Sequence, residues 1–170
     1  MSTLQSAFEQ LISDQAELHR KFQTQAQSLF KDITKEFFDK NPGITGVIWT
    51  QYTPYFNDGD TCEFRVGDLT FTNAPLDELG DIRWGDYEGE TEGVWAAENI
   101  AHVLQSDRGY YQDTKNMILA AGGVDATSCS LFSKAVGSNE MESVMQAMFG
   151  DHVKVIATRD GFEVDEYDHD

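Results

Sequence analysis

Apolar residues open the chain at helical spacing. Leu4, Phe8, Leu11, Ile12, Leu18, Phe22, Ala26, Leu29, Phe30, Ile33 and Phe37 recur mostly at three- and four-residue steps, which lays them along one stripe of a helix. Ser2 or Thr3 suits its start. Asn41-Pro42-Gly43 ends it, because proline disfavours helical geometry in the residue before it. A helix of about 37 residues would be roughly 55 Å long, more than a domain of this size is wide. The expectation is therefore either a break near Gln23 to Gln27 or a stripe that packs in part on another chain. Positions 4, 8, 11, 18, 22 and 29 keep heptad spacing, with Gln15 and Gln25 interrupting it. A homodimer through the 3–40 helix is one expectation; folding back on its own body is the other.

After Gly43 the period changes. In ITGVIWTQYTPYFNDGDTCEFRVGDLTFTN, residues 44 to 73, β-branched and aromatic side chains flank Asn57-Asp58-Gly59-Asp60. Asn, Asp and Gly tolerate positive φ, so this stretch predicts a hairpin, with Pro54 near a strand end. Residues 73–93 hold four glycines and many acids without a sustained period, which predicts a loop. Helical patterns follow over 94–104, over roughly Tyr110 to Ala121, and from an Asp125 or Thr127 cap to Val136. Asn139 with Glu142 resembles a capping box for a last helix, Glu140 to Phe149, stopped by Gly150. Val153, Val155 and Ala157 alternate up to an Asp160-Gly161 turn, and Phe162, Val164 and Tyr167 continue beyond it as a second hairpin. The whole predicts one α+β domain over 1–170: a long amphipathic helix over 1–40, then a body over 44–170 with an antiparallel sheet of about four strands and several short helices.

Charge changes the picture more than composition does. Thirty acids against twelve bases give a net of −18. By segment the balance is −1 over 1–50, −10 over 51–100, −2 over 101–150 and −5 over 151–170. Such a field repels nucleic acid and anionic lipid and attracts basic surfaces, so no direct nucleic-acid or membrane partner is expected. No apolar run approaches the ~20 residues that span a bilayer, and MSTLQSAFEQ has no secretory pattern. These features give the expectation of a soluble, cytoplasmic protein, with Cys62 and Cys129 as free thiols. The competing explanation for the acids is solubility alone.

Candidate chemistry is sparse. Asp58, Asp60 and Glu63 offer oxygen ligands for a hard cation, but a calcium-loop pattern counted from Asp58 puts Glu63 where glycine belongs and Leu69 where a carboxylate belongs. A divalent-metal or small hydrolytic module around 57–63 is therefore an alternative rather than the main reading. His19, His102, His152 and His169 accompany no nucleophile or metal motif. Cys62 with a distant histidine would be a nucleophilic pair, though a strand cysteine is more often structural. The reading is non-enzymatic and needs no cofactor.

Recognition is what remains. Asp77, Glu78, Asp81, Asp86, Glu88, Glu90 and Glu92 interleave with Trp84 and Tyr87, and Glu163, Asp165, Glu166 and Asp168 form an acidic tail. Rings supply area and cation–π contact while carboxylates pair with Lys and Arg, which suits a basic protein partner. Carboxylates side by side also approach the charge density of a duplex, one phosphate per about 1.7 Å of axis. The expected function is thus an inhibitor that blocks a nucleic-acid-handling protein by charge mimicry; a structural or assembly role for the helix is a further alternative. The segments WTQYTPYFNDGD and GFEVDEYDHD resemble small acidic proteins of phages and bacteria. That resemblance implies a phage-encoded modulator of a host system and carries no catalytic residues.

Overall fold

The computed structural model describes residues 3–56, 58–82 and 93–169. The stripe at the start of the chain does form one helix, and it is unbroken: α1 spans Thr3–Lys40. Of the two expected ways to accommodate its length, the break at Gln23 to Gln27 does not occur. Only the last third of α1 is held by the body. Phe30, Thr34, Phe37 and Phe38 are buried, whereas every described residue before Gln23 is exposed.

The end of α1 is fixed by polar bonds rather than by apolar contact alone. Asn41 is fully buried; its amide donates to the carbonyl of Phe37 and to Ser128 Oγ, and its oxygen accepts from the Asp125 N–H. Arg159 reaches over from the sheet to donate to Asp39 and to the Phe38 carbonyl. Proline and glycine then turn the chain. Gly43 lies so close to the Gly122 carbonyl that a Cβ there would overlap it, and the Gly43 N–H donates to the Gly123 carbonyl.

Among the described residues six short strands form one antiparallel sheet: β1 (Gly46–Tyr52), β2 (Arg65–Val66), β3 (Thr70–Thr72), β4 (Ala96–Ala97), β5 (Val153–Thr158) and β6 (Gly161–Glu166). Their order is β4-β3-β1-β5-β6, with β2 also paired to β1. The first hairpin exists, but its return arm is split. Gln51 faces Val66 while Ile48 faces Thr70, so three residues on one arm oppose two on the other. This bulge at Gly67-Asp68-Leu69 separates β2 from β3. The second hairpin closes through Arg159-Asp160, with Thr158 facing Gly161. The split return arm, together with β4 from a stretch whose pattern reads as helix, brings the expected count of about four strands to six. Only Ile100–Gln105 of residues 94–104 becomes a helix, α2, capped by Asn99 Oδ1 accepting from the His102 N–H. Trp95 is drawn into extended geometry by Thr72 Oγ1 donating to its carbonyl and Asn73 Oδ1 accepting from its N–H.

Helices α3 (Gln112–Ala121), α4 (Ala126–Val136) and α5 (Asn139–Phe149) follow the expected bounds. Asp125 caps α4 by accepting from the Thr127 N–H. Ser138, not Asn139, is the residue before α5, and its hydroxyl donates back to Ala135, so the expected capping box does not form.

Strand alternation sends two sets of side chains to two cores. Val47, Trp49, Phe71, Val155 and Ala157 face the helices, where Phe30, Phe37, Phe132, Phe149 and Phe162 pack ring against ring. Ile48 and Ile156 point the other way. They form a smaller core with Ala74, Leu79, Ile82 and Val94, roofed by the 3-10 turn Leu76–Asp81.

Candidate functional site

The register of β5 and β6 decides where the acidic tail goes. Glu163 is paired with Ile156 and Asp165 with Lys154, so both carboxylates share the face on which Ile156 meets the 3-10 turn. That turn carries Asp77 and Asp81, exposed, and Glu78, half-buried. Lys154 ties the two together: its ammonium donates to the carbonyls of Gly80 (2.7 Å) and Ile82 (2.8 Å). The described part of the acidic segment, residues 77–82, is therefore anchored on the same side of the sheet as Glu163 and Asp165, although more than 70 residues separate them in sequence.

The tail does not act as one block. Glu166 is paired with Val153, on the opposite face from Asp165, and Asp168 lies beyond the strand; both are exposed. Trp84, Asp86, Tyr87, Glu88, Glu90 and Glu92 lie outside the described residues. Among the described residues, the ion pairs of Lys21, Lys40 and Arg159 are with Glu17, Glu36 and Asp39, and none takes an acid of this face. Since β6 ends the sheet, its carboxylates also discourage pairing with a foreign strand.

A second surface belongs to α1. Leu4, Leu11 and Leu18 are 67%, 63% and 67% exposed, and Phe8, Ile12, Phe22, Leu29 and Ile33 are exposed beside them. Two of these, Leu29 and Ile33, lie next to the body-facing residues and still point away from it. A stripe that continuous is far more apolar than an isolated surface residue requires.

Asp58 and Gly59 adopt positive φ, as turn chemistry demands, and Asp58, Asp60 and Glu63 all point to solvent. Among the described residues no three His, Cys, Asp or Glu side chains converge as metal ligands would. A cleft of about 600 Å³ lies instead between the bulge, the start of α2 and α4, lined in part by Asp68, Glu98, Asn99, Cys129, Ser133 and Lys134. Burial, and then the Asp68 carboxylate nearby, raises the Glu98 pKa above its ordinary value. Burial, reinforced by Asp125, pushes the Cys129 thiol up to about 12, which keeps it protonated at neutral pH. Cys62 is half-buried, and both cysteines are free.

One cluster has no counterpart among the expected sites. Tyr55 stacks on the rings of both His152 and His169, at 4.8 and 4.6 Å between centroids, and Tyr52 lies against His169. His152 Nδ1 and His169 Nε2 are hydrogen-bonded at 3.0 Å, with the donor set by tautomer. Beneath them Asp151 accepts from the Thr53 hydroxyl, the Thr53 N–H and the His152 N–H. Burial alone would raise the Asp151 pKa, but these three bonds and the adjacent imidazole outweigh it and hold the carboxyl below its ordinary value. The signal was in the sequence: residues equidistant from the 159–160 turn must meet, and Tyr167 and His152 do. The contribution of Tyr55 from the other hairpin was not.

Fold and surfaces among the described residues define an α+β protein with an open antiparallel sheet, exposed carboxylates on the side of that sheet covered by the 3-10 turn, and an exposed apolar stripe on α1. Compared with known proteins, the chain matches no family model, no curated protein and no solved structure. Among the described residues no helix is long and apolar enough to cross a membrane.

Proposed function

We propose that the protein is a non-enzymatic acidic binding protein that occupies the basic surface of a nucleic-acid-handling protein, as a phage-type inhibitor of a host system would. One observation carries this reading: Glu163 and Asp165 share a sheet face with Asp77, Glu78 and Asp81, and Lys154 clamps that turn in place. Preorganised carboxylates pay little ordering entropy on binding and present fixed negative charge to Lys and Arg. The test is capture from a bacterial lysate, with bound proteins identified by mass spectrometry. The wild type is compared with a variant neutralised at Asp77, Asp81, Glu163 and Asp165, and with one neutralised at Asp107, Asp113, Glu140 and Glu142. The reading expects loss only with the first set, and displacement of the captured protein by duplex DNA. Equal loss from both sets would mean that net charge alone is at work, and capture insensitive to both would remove the acidic face from the account.

A second reading concerns assembly. The exposed stripe on α1 favours self-association through the 3–40 helix, because eight large apolar side chains otherwise stand in water.

A further inference from the structure

The two apolar sets on α1 occupy different faces. At 100° per residue, the body-facing set Phe30, Thr34, Phe37 and Phe38 centres roughly 120° around the axis from Leu4, Leu11, Leu18, Phe22 and Leu29. The body therefore cannot cover the stripe, and a second helix can lie along it without displacing anything. Ile12 shares the azimuth of Phe30, but the other seven exposed side chains, at about 100 Å² each, offer ~700 Å² per chain, close to one side of a standard protein interface.

We infer that the occupant is a second copy of this chain, docked antiparallel, with residue n of one α1 opposite residue 33 − n of the other. This deepens the assembly reading and rests on it. Three features select the orientation. The first is size: antiparallel pairing sets Phe22 against Leu11, Leu29 against Leu4, Leu18 against Gln15 and Phe8 against Gln25 of the second copy. Parallel pairing in register would instead stack phenylalanine on phenylalanine at 8 and 22, and glutamine on glutamine at 15 and 25. The second is charge: on one flank of the antiparallel seam, two residues off the core register, Asp14 comes beside Lys21 of the second copy twice over, whereas a parallel seam sets Asp14 beside His19 and leaves Lys21 beside Ala26. The third is the field of the body. Each chain carries −18, and a parallel pair would crowd both bodies at one end, whereas the antiparallel pair holds them apart. A shallow hollow ringed by Ile12, Gln15, Ala16, Leu18, His19 and Phe22 falls at the two-fold axis, where Leu18 of the second copy would enter. The two acidic faces then sit at opposite ends of one dimer, so that it can engage two basic partners.

The experiment uses the full chain in a Cys62→Ser background with Lys35→Cys carrying a nitroxide; Lys35 is exposed on α1 and Cys129 is buried. Sedimentation gives the mass and pulsed dipolar spectroscopy the spacing between labels. The antiparallel dimer places the labels about 55 Å apart along the axis, from 1.5 Å per residue over twice the distance to the midpoint. A dimer with labels within ~25 Å refutes the orientation but keeps self-association. A monomer at concentrations of about 100 µM refutes self-association itself. Leu11→Asp places a charge in the seam twice per dimer and should weaken association about a hundredfold or more. Because Leu11 is exposed in the single chain, its far-UV circular dichroism and urea midpoint at monomeric concentration should not change. Association untouched by Leu11→Asp would overturn the proposed seam.

Discussion

Gln51 is a buried polar side chain with every hydrogen-bonding group in use, and replacing it offers a sharp test of the packing. It is 0% exposed at the end of β1. Its amide donates to the carbonyls of Met145 (3.0 Å) and Gly150 (2.7 Å), and its oxygen accepts from Trp49 Nε1 (3.2 Å). These bonds join the central strand to the end of α5 and so set the entry to β5. Gln51→Leu keeps most of the volume and removes all three bonds, leaving the Gly150 carbonyl and the Trp49 indole N–H unpaired and the Met145 carbonyl with its helical bond alone. At about 1.5 kcal/mol for each of the two groups so orphaned, within the usual range, the variant should lose ~3 kcal/mol. Against a total stability of about 5–15 kcal/mol that is a large fraction. With an m-value near ~2 kcal/mol/M in urea, the midpoint should fall by about 1.5 M. Gln51→Ala adds a cavity and should fall further. Equilibrium urea unfolding, followed by tryptophan fluorescence and by circular dichroism, reads both values. A Gln51→Leu midpoint within about 0.3 M of the wild type would show that these bonds contribute no net stability, and the account of the α5–β1 junction would be wrong.

Three further outcomes can be checked. Gly43→Ala forces backbone away from the Gly122 carbonyl and should cost about 2 kcal/mol, or ~6 °C in a thermal melt. In native protein at pH 8 a thiol reagent should modify Cys62 and spare Cys129, whose thiol is buried and raised to about 12; both should react in urea, counted by mass spectrometry. Asp151 has a folded pKa below its unfolded one, so its charge stabilises the fold above about pH 4, and that stability is lost as pH falls through the folded value. The gap in urea midpoint between wild type and Asp151→Asn should therefore be full at pH 6 and close in acid; a gap that widens on acidification would contradict the bonding to Thr53 and His152.

Several parts of this fold were legible because they depend on neighbours in sequence. The 3.6-residue stripe from Leu4 to Phe37 specifies α1 whatever it packs against. Glycines at 122 and 150 end α3 and α5 by accepting positive φ, and a two-residue turn at 159–160 fixes the pairing of β5 with β6. Other parts depend on residues distant in sequence. Residues 95–97 have a helical pattern, yet Thr72 and Asn73 supply backbone partners that make extended geometry cheaper, and β4 results. No local signal announces the extra residue at Gly67-Asp68-Leu69, since a bulge is defined only against the strand opposite.

The candidate surfaces divide in the same way. The sequence by itself determined that the chain is strongly acidic, that its acids concentrate in two segments, and that a long amphipathic helix leads it. Composition and short-range periodicity are additive along a chain and need no knowledge of the fold. Only the tertiary structure decided that Glu163 and Asp165 join the face of Asp77 and Asp81 while Glu166 does not, since a one-residue difference on a strand reverses a side chain. It also decided that Phe30, Phe37 and Phe38 enter the core while Leu4, Leu11 and Leu18 stay outside. All belong to one helix, and what separates them is how far along it the body reaches.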